Sequence, residues 1–142
     1  MVIANILKGK GSQVVSVRTQ DGVASITRTR AQHCIGAVLV VERDGQVLGI
    51  VSERDIVRAL ASLGEGVTRM TAGQLMTRVL FTVSPRSTVQ EALQMMTDRR
   101  IRHLPVLEAD GSLAGMVSIG DLVKARIDEA EHEAEELKLF VT

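Results

Sequence analysis

A segment of 25 residues occurs twice in the chain, and this repeat constrains the fold more than any other feature. Residues 35–59 read IGAVLVVERDGQVLGIVSERDIVRA, and residues 101–125, 66 positions later, read IRHLPVLEADGSLAGMVSIGDLVKA. Eleven of the 25 aligned pairs are identical, and the alignment has no gap. A repeat of this length is a supersecondary unit that cannot bury its hydrophobic face alone. We therefore expect the two copies to pack against each other, with the functional site between them.

The length and composition indicate a single globule made of two halves. The chain has 142 residues, of which 45% are hydrophobic and 24% charged, enough for one well-buried core. No apolar run approaches the roughly 20 residues of a membrane-spanning helix, and the N-terminus lacks a signal peptide pattern. These features predict a cytoplasmic protein without a membrane partner. The only cysteine, Cys34, has no partner for an internal disulfide and is interpreted as a core or semi-buried thiol.

The formal net charge of zero hides two regions of opposite sign. Residues 1–127 carry 16 basic and 11 acidic side chains, whereas residues 128–142 carry one basic and six acidic side chains. Thirteen of the 17 basic residues are arginine, whose planar guanidinium suits phosphate. Only Phe81 and Phe140 are aromatic, and base-stacking recognition of single strands needs aromatic platforms. Nucleic acid is therefore an improbable partner.

Each copy is predicted to fold as β-α-β-β-α. The first strand is assigned to residues 14–17 or 79–83, and the Asp-Gly pairs at 44–45 and 110–111 predict hairpin turns between two apolar runs. A closing helix covers residues 55–63 in the first copy and begins at Asp121 in the second. The glycine-containing stretch 61–74 is interpreted as the linker between copies.

The first helix of each copy is predicted with unequal strength. In the second copy, Ser87 or Thr88 is expected to cap a helix with an apolar stripe at Val89, Ala92, Leu93 and Met96. In the first copy Thr27 and Thr29 weaken the helix signal, although a buried stripe at Val23, Ile26 and Ala31 still favours a helix.

The C-terminal segment is predicted to be an acidic helix with one apolar seam. The seam residues Ile127, Ala130, Ala134, Leu137 and Val141 follow a 3,4,3,4 spacing, with glutamates between them. This seam must be covered, either by the chain's own folded part or by a second subunit. Two heptads are too few to choose between these two possibilities.

The turn from hairpin to closing helix carries the same chemistry in both copies. Ser52 and Ser118 lie where a helix begins, beside backbone N–H groups that attract phosphate. Asp55 and Asp121 follow three residues later, and a carboxylate can accept from both vicinal hydroxyls of a ribose. The alternative is that each Ser-Asp pair only caps its helix.

Positive charge distinguishes the second copy. Arg102 and His103 precede its β-run, where charge-assisted bonds suit phosphates. Pro105 has no N–H and is predicted at a strand start or edge, which leaves nearby backbone groups available to a base. The alternative is a solvated basic helix end. The first copy has Gly36 and Ala37 in place of Arg102 and His103, so the two sites are not expected to bind alike.

From about residue 1 to 126, the repeat resembles a tandem pair of CBS (cystathionine β-synthase) domains. The G-h-x-S-x-x-D pattern of both copies carries the resemblance, together with the preceding h-P-V strand of the second. The implied fold is α+β, with two β-α-β-β-α CBS motifs packed about a pseudo-twofold axis as one Bateman-type module. The corresponding boundaries are 1–66 for the first motif with its linker, 67–127 for the second, and 128–142 for the acidic helix.

The resemblance also implies two clefts for adenosine-containing ligands. In the second cleft Asp121 is expected to bind a ribose, Ser118 a phosphate or ribose, and Arg102 and His103 the phosphates. The adenine pocket is expected at Thr82, Ile101 and Leu104, beside Pro105. The matching residues of the first cleft are Val17, Ile35, Gly36, Ala37, Ser52, Arg54 and Asp55.

The function expected from these features is non-catalytic regulation. The sequence has no metal-ligand spacing and no nucleophile-base arrangement that it alone can support, so neither a catalytic residue nor a catalytic cofactor is predicted. The expected ligand is AMP, ATP or NAD(H), and the expected partners are an unidentified regulated protein and a second copy of the chain. The helix positions assigned to this homodimer are Leu60, Leu63, Leu122, Val123 and Ile127. The alternatives are a ligand-free oligomerisation module and, third, nucleic-acid binding by the basic body.

Overall fold

The computed structural model describes residues 1–11, 14–33, 35–79 and 81–141, so the thiol interpretation of Cys34 lies outside the described part. The α-helices are α1 (Ile3–Lys10), α2 (Val23–His33), α3 (Glu53–Leu63), α4 (Ala72–Leu75), α5 (Val89–Arg99) and α6 (Ile119–Val141). A 3₁₀ helix covers Gly64–Arg69. The strands are β1 (Ser16–Val17), β2 (Ala37–Val41), β3 (Val47–Ser52), β4 (Thr77–Arg78), β5 (His103–Leu107) and β6 (Leu113–Ser118).

The chain forms two compact units, and each takes residues from beyond its own repeat. One unit comprises residues 13–80, and the other joins residues 1–12 to residues 81–142. The segment before the first repeat therefore belongs to the unit of the second repeat. The boundaries 1–66, 67–127 and 128–142 follow the sequence repeat rather than these contacts, and they stay a prediction.

The unit of residues 13–80, here called the first unit, is built on a four-stranded sheet in the order β1-β2-β3-β4. Strand β1 is parallel to β2, whereas β2 with β3 and β3 with β4 are antiparallel. Strand β2 is buried over four of its five residues, as its uninterrupted apolar sequence indicates. The core joins this sheet to α2, the 3₁₀ helix and α4 through buried residues that include Val38, Ile26, Val67 and Leu75.

The second unit, residues 1–12 with 81–142, has a two-stranded β5-β6 sheet. Val83 forms an isolated parallel bridge with Val106, and this bridge is what the described structure retains of the strand predicted over residues 79–83. The core contains Ile3 of α1, Met96 of α5 and Leu122 of α6, all nearly inaccessible to solvent. The β-α-β-β-α order is therefore present in both repeats, with the first strand of the second repeat reduced to a bridge.

Both hairpins turn where the Asp-Gly pairs predict. Gly45 and Gly111 have φ values of 86° and 87°, a conformation that costs glycine little. Asp44 accepts a hydrogen bond from the N–H of Gln46, and Asp110 accepts one from Ser112.

The helices between strand and hairpin form in both repeats. Thr88, the N-cap of α5, accepts a bond from the N–H of Glu91 at 3.0 Å. Val89, Ala92 and Met96 are buried, and Leu93 packs against them. In α2, Val23 and Ile26 are buried as predicted, but Ala31 is exposed, so its place in the predicted stripe is wrong. The two threonines of α2 direct their hydroxyls to backbone carbonyls one turn earlier, and the helix tolerates them in this way.

The segments that precede the two repeats, α1 and α4, hold equivalent positions in the two units. The N–H of Ile3 donates to the carbonyl of Ser87, and the N–H of Ala72 donates to the carbonyl of Asp21, which is 66 positions before Ser87. The stretch 61–74 is therefore not only a linker, because its 3₁₀ helix and α4 supply buried core residues.

Two glycines admit these preceding segments to the sheets. A Cβ on Gly49 would lie 2.7 Å from both the sulfur of Met76 and the backbone oxygen of Thr77. A Cβ on Gly115 would lie 2.7 Å from a methyl carbon of Leu7 on α1. Glycine permits such approaches because it has no Cβ. Packing within each unit accounts for both.

The closing helix of the second repeat and the acidic segment form one helix, α6. Its last buried residue is Ala125, and from Arg126 to Val141 nearly every residue is exposed. Leu122, assigned from sequence to a dimer face, is fully buried in the core of its unit, so that assignment is wrong. None of the described helices is both long and apolar enough to cross a bilayer.

We expect Gly115→Ala to lower the free energy of unfolding by about 1–3 kcal/mol, because the added methyl overlaps Leu7. In Leu7→Ala/Gly115→Ala the overlap is removed, so the double variant should lose less stability than the two single variants together. Gly49→Ala should cost more and without such a rescue, because one obstacle is a backbone oxygen, which cannot move aside as the end of a leucine side chain can. Denaturant unfolding measures all four variants.

Gly9→Ala is the matched control for these variants, since nothing lies within 4 Å of a Cβ at Gly9 in α1. It should be neutral or stabilising by up to about 1 kcal/mol. Additive losses for Leu7→Ala and Gly115→Ala would contradict the packing explanation.

Candidate ligand-binding sites

Ser118 and Asp121 form a capping arrangement at the start of α6. Asp121 Oδ2 accepts from the N–H of Ser118 at 2.8 Å, and the N–H of Asp121 donates to Ser118 Oγ at 3.2 Å. The N–H of Ile119 donates to the carbonyl of Arg102 at 2.8 Å, and His103 faces Ser118 in the β5-β6 register. The structure thus brings four of the predicted residues, Arg102, His103, Ser118 and Asp121, to one end of the hairpin.

Lys10, at the end of α1, completes this cluster. Its ammonium group lies 2.7 Å from Asp121 Oδ2 and donates to the carbonyl of Met116 at 3.0 Å. Both side chains are partly exposed, Lys10 by 40% and Asp121 by 26%, so the pair contributes little to stability. Its main effect is on the charge of the site. We call Lys10, Arg102, His103, Ser118 and Asp121 the second-repeat cluster.

The charges of the second-repeat cluster shift two of its pKa values. Burial raises the pKa of Asp121, but hydrogen bonds from Lys10 and Ser118 and the charge of Lys10 outweigh burial and hold this pKa below its ordinary value. Burial lowers the pKa of His103, and the positive charges of Lys10 and Arg102 lower it further, against the opposing effect of Asp121. At neutral pH the cluster therefore has an ionised carboxylate, two cations and a largely neutral imidazole.

The equivalent pair in the first repeat is capped in the same way but has a different neighbour. Asp55 Oδ2 accepts from the N–H of Ser52 at 2.8 Å and from its hydroxyl at 3.0 Å. Asp55 Oδ1 accepts from the hydroxyl of Thr77 at 2.9 Å. Ser52, Asp55 and Thr77 form what we call the first-repeat cluster, in which a neutral hydroxyl takes the place of the Lys10 ammonium. Helix capping by both Ser-Asp pairs, the alternative from sequence, is therefore present in the structure.

The remaining residues predicted for the second cleft differ in burial. Thr82 and Ile101 are half-buried, whereas Leu104 and Pro105 are buried. The side chain of Leu104 belongs to the hydrophobic core. Pro105 is the third residue of β5, and its carbonyl accepts from the N–H of Val83 at 3.0 Å. Pro105 therefore lies within β5 and not at its start, whereas the predicted edge position is confirmed, since β5 belongs to a two-stranded sheet.

The residues predicted for the first cleft also divide by burial. Val17 and Ala37 are buried, Ile35 is half-buried, and Gly36 and Arg54 are exposed. Ala37 faces Ser52 in the β2-β3 register, and the N–H of Glu53 donates to the carbonyl of Gly36 at 3.2 Å. This backbone bond repeats the one from Ile119 to Arg102, so the two turns share one geometry.

The sequence prediction missed Lys10 and Thr77, the two residues that contact the aspartates from the preceding segments. Lys10 is 111 positions from Asp121, and local periodicity contains no information on such a contact. A weak signal for α1 was present, since Ile3, Ile6 and Leu7 have helical spacing and Gly11 follows as a C-cap. Among the described residues, no His, Cys, Asp or Glu side chains form a group that could hold a metal ion.

Comparison with known proteins identifies the family. The model of the CBS domain matches residues 12–62 and 72–128, and the chain therefore belongs to the CBS-domain family as a tandem pair. A mitochondrial CBS domain-containing protein of Arabidopsis thaliana, CBSX3, is 36% identical over 98% of this chain and 71% of its own length.

Solved structures share the fold of the whole pair. The CBS-domain containing protein ATU1752 from Agrobacterium tumefaciens has a TM-score of 0.83 at 39% identity, over 88% of this chain and 98% of its own. A putative signal-transduction protein with CBS domains from Burkholderia ambifaria has a TM-score of 0.83 at 37% identity, over 90% of this chain and 95% of its own. The fold is thus an α+β pair of CBS motifs.

Lys10→Met should raise the pKa of Asp121, because the carboxylate loses a hydrogen bond and a positive neighbour. The same change should raise the pKa of His103, whereas Asp121→Asn should lower the pKa of His103 further. NMR titration of the His103 ring and of the Asp121 carboxyl measures both shifts. Lys8→Met, an exposed position on the same helix, is the control and should leave both values unchanged. Equal effects of the Lys8 and Lys10 changes would contradict the assigned contact.

Proposed function

We propose that this protein is a non-catalytic regulatory module that binds an adenosine-containing ligand at the second-repeat cluster. The observation that carries this proposal is the meeting of Asp121 with Lys10, Arg102 and His103 at the start of a helix. A carboxylate suits the two hydroxyls of a ribose. The cations and helix N–H groups suit a phosphate.

Ligands seen in proteins of the same fold support this class of ligand. CBSX2 was solved in complex with AMP, at 22% identity and a TM-score of 0.70. The CBS domain pair of protein MJ0100 was solved with 5′-methylthioadenosine and S-adenosylmethionine, at 21% identity and a TM-score of 0.78. Adenosine is common to all three ligands. We infer an adenosyl compound, with AMP, ATP or NAD(H) as the candidates that best use the cations.

Lys10 has a defined part in this proposal. A ribose that binds Asp121 competes with the Lys10 ammonium for the same carboxylate, and we propose that the displaced ammonium neutralises a phosphate of the same ligand. The cations of the second-repeat cluster therefore favour a phosphorylated ligand. For the first-repeat cluster, with Thr77 in place of Lys10 and Gly36 in place of Arg102, we propose weaker binding of phosphorylated ligands or none.

Regulation requires a change that another protein can detect, because a ligand shifts an equilibrium only through its differential affinity for two states. We propose that the module acts as a homodimer on an unidentified cytoplasmic protein. Exposed apolar residues on α3 and α6 support the homodimer, namely Leu60, Leu63, Val123 and Ile127, to which the structure adds Val57. These exposed faces also support the second candidate function, a ligand-free oligomerisation module.

Thermal unfolding with AMP, ATP, NADH and S-adenosylmethionine separates the two candidates. A ligand at 100 times its dissociation constant should raise the free energy of unfolding by about 2.7 kcal/mol. Asp121→Ala should abolish this gain, and Asp55→Ala should preserve it. The two variants are matched, since each removes a capping carboxylate from one unit. If no adenosyl compound stabilises the protein, the sensor proposal fails and the oligomerisation module stands.

Binding of nucleic acid would instead weaken steeply with salt.

The pKa of His103 predicts how AMP binding depends on pH. A phosphate beside the imidazole favours the protonated ring, so the pKa of His103 rises on binding and the complex takes up a proton. As the pH rises through the His103 pKa of the complex, the affinity for AMP should therefore fall. Isothermal titration calorimetry at several pH values measures this dependence, and His103→Gln corrects for the titration of AMP itself. 5′-Methylthioadenosine, which has no phosphate, should bind to the native protein and to His103→Gln with the same pH dependence. If the affinity for AMP also changes with pH equally in the two proteins, His103 does not contact the phosphate.

A further inference from the structure

Beyond Ala125, α6 is a helical extension whose large apolar side chains stay exposed in the described structure. From Arg126 to Val141 the helix runs on for 16 residues beyond Ala125, its last buried residue. Its apolar side chains become more exposed toward the end, from 53% at Ile127 to 67% at Leu137 and 86% at Val141. A helix of this length rarely persists in water with an uncovered apolar seam.

The exposed seam has the composition of a two-stranded coiled coil. With Ile127 at heptad position a, the other a residues are Ala134 and Val141, and the d residues are Val123, Ala130 and Leu137. β-Branched residues at a and leucine at d favour parallel dimers; Ile127, Val141 and Leu137 follow this rule, whereas Val123, Ala130 and Ala134 depart from it. The seam begins at Val123, which is 44% exposed on the folded part of the unit, so the seam is continuous with that surface.

The charges beside the seam favour one orientation. In a parallel, in-register pair each g residue faces the e residue five positions later on the partner helix. Arg126 then faces Glu131, and Glu133 faces Lys138, so all four contacts in the dimer join opposite charges. Arg126 is only loosely engaged within its own chain, at 3.4 Å from Glu129 with 54% of its side chain exposed.

An antiparallel pair that covers the whole seam is less favourable. Because a residues face d residues in that orientation, full overlap places Ile127 opposite Leu137 and Ala130 opposite Ala134 of the other copy. The flanking contacts are then Glu131 with Glu131, Glu133 with Glu133 and Lys124 with Lys138, all between like charges. A shift by one heptad joins Arg126 to Glu133 and Lys124 to Glu131 but leaves Val141 without a facing residue on the partner helix. The parallel pair therefore combines a fully covered seam with opposite charges, and these antiparallel registers do not.

We propose that residues 126–141 of α6 pair with the same segment of a second copy as a parallel, in-register, two-stranded coiled coil. Two heptads are too short to join two chains alone, so this inference rests on the proposed homodimer, to which the exposed apolar faces of α3 and α6 also contribute. It does not depend on nucleotide binding. Most acidic side chains of the segment then lie at the solvent-facing heptad positions b, c and f, whereas its g and e positions carry both positive and negative charges.

Cysteine cross-linking tests the orientation directly. In a Cys34→Ala background, Leu137→Cys places a thiol at a d position. Parallel, in-register pairing brings this thiol next to the same thiol of the partner chain. Mild oxidation should convert most of this variant to a covalent dimer. Glu135→Cys, on the opposite side of the helix, is the matched control and should remain uncrosslinked. Sedimentation equilibrium of the reduced proteins reports the oligomeric state independently.

The outcomes separate the two proposals. A dimer by sedimentation in which Leu137→Cys does not cross-link would overturn the coiled coil and leave the homodimer intact. A monomer would overturn both but would leave the ligand-binding proposal, whose test is thermal stabilisation. Preferential cross-linking of an Ile127→Cys chain to a Leu137→Cys chain would show the antiparallel arrangement and would also overturn the proposal.

Charge reversal gives a second measurement. Arg126→Glu places two glutamates face to face at two sites of the dimer, and the dissociation constant should rise about five- to thirtyfold. Arg126→Glu/Glu131→Arg restores opposite charges and should return the constant close to that of the native protein. If the double variant dissociates as readily as the single variant, the parallel register is wrong.

Discussion

The close approach of a preceding segment to the second hairpin strand is the contact on which each unit depends. A two-stranded hairpin is marginal in water without other elements packed against it. In one unit α1 reaches the sheet over Gly115, and in the other the stretch from Met76 to Thr77 reaches it over Gly49. Both approaches are closer than any larger side chain permits. They also carry Lys10 to Asp121 and Thr77 to Asp55, so the same packing that completes each core determines the chemistry at each Ser-Asp pair.

The elements that local chemistry specifies were predictable from the sequence. The Asp-Gly turns, the Thr88 cap and the apolar stripe of α5 all use neighbours within a few positions, and the structure has them as predicted. The division into units was not predictable in this way, because it depends on α1 packing with residues more than 80 positions away. The N-cap residue of α1 is Val2, which provides no side-chain cap, so the start of this helix lacked the usual signal.

The candidate sites were predictable to a similar extent. The repeated Ser-Asp spacing located both turns, and the Arg102-His103 pair located the more basic one. Spacing allowed helix capping and ligand binding alike, and it could not show that the second neighbour of each carboxylate differs between the units. The backbone environment of Pro105 was also inaccessible to the sequence prediction, because the N–H of Val83 reaches its carbonyl across a chain separation of 22 residues.

The exchange of α1 and α4 between repeats has a consequence for a chain with a single repeat. In this chain the segment that precedes the first repeat packs on the second repeat. If the same rule held for a chain with a single repeat, its leading helix would find no sheet to pack on, and its sheet would lack a helix. Two such chains would complete each other by exchanging their leading helices, as in a domain-swapped dimer. In the present chain the exchange is intramolecular, so the two sheets receive their leading segments without a second molecule.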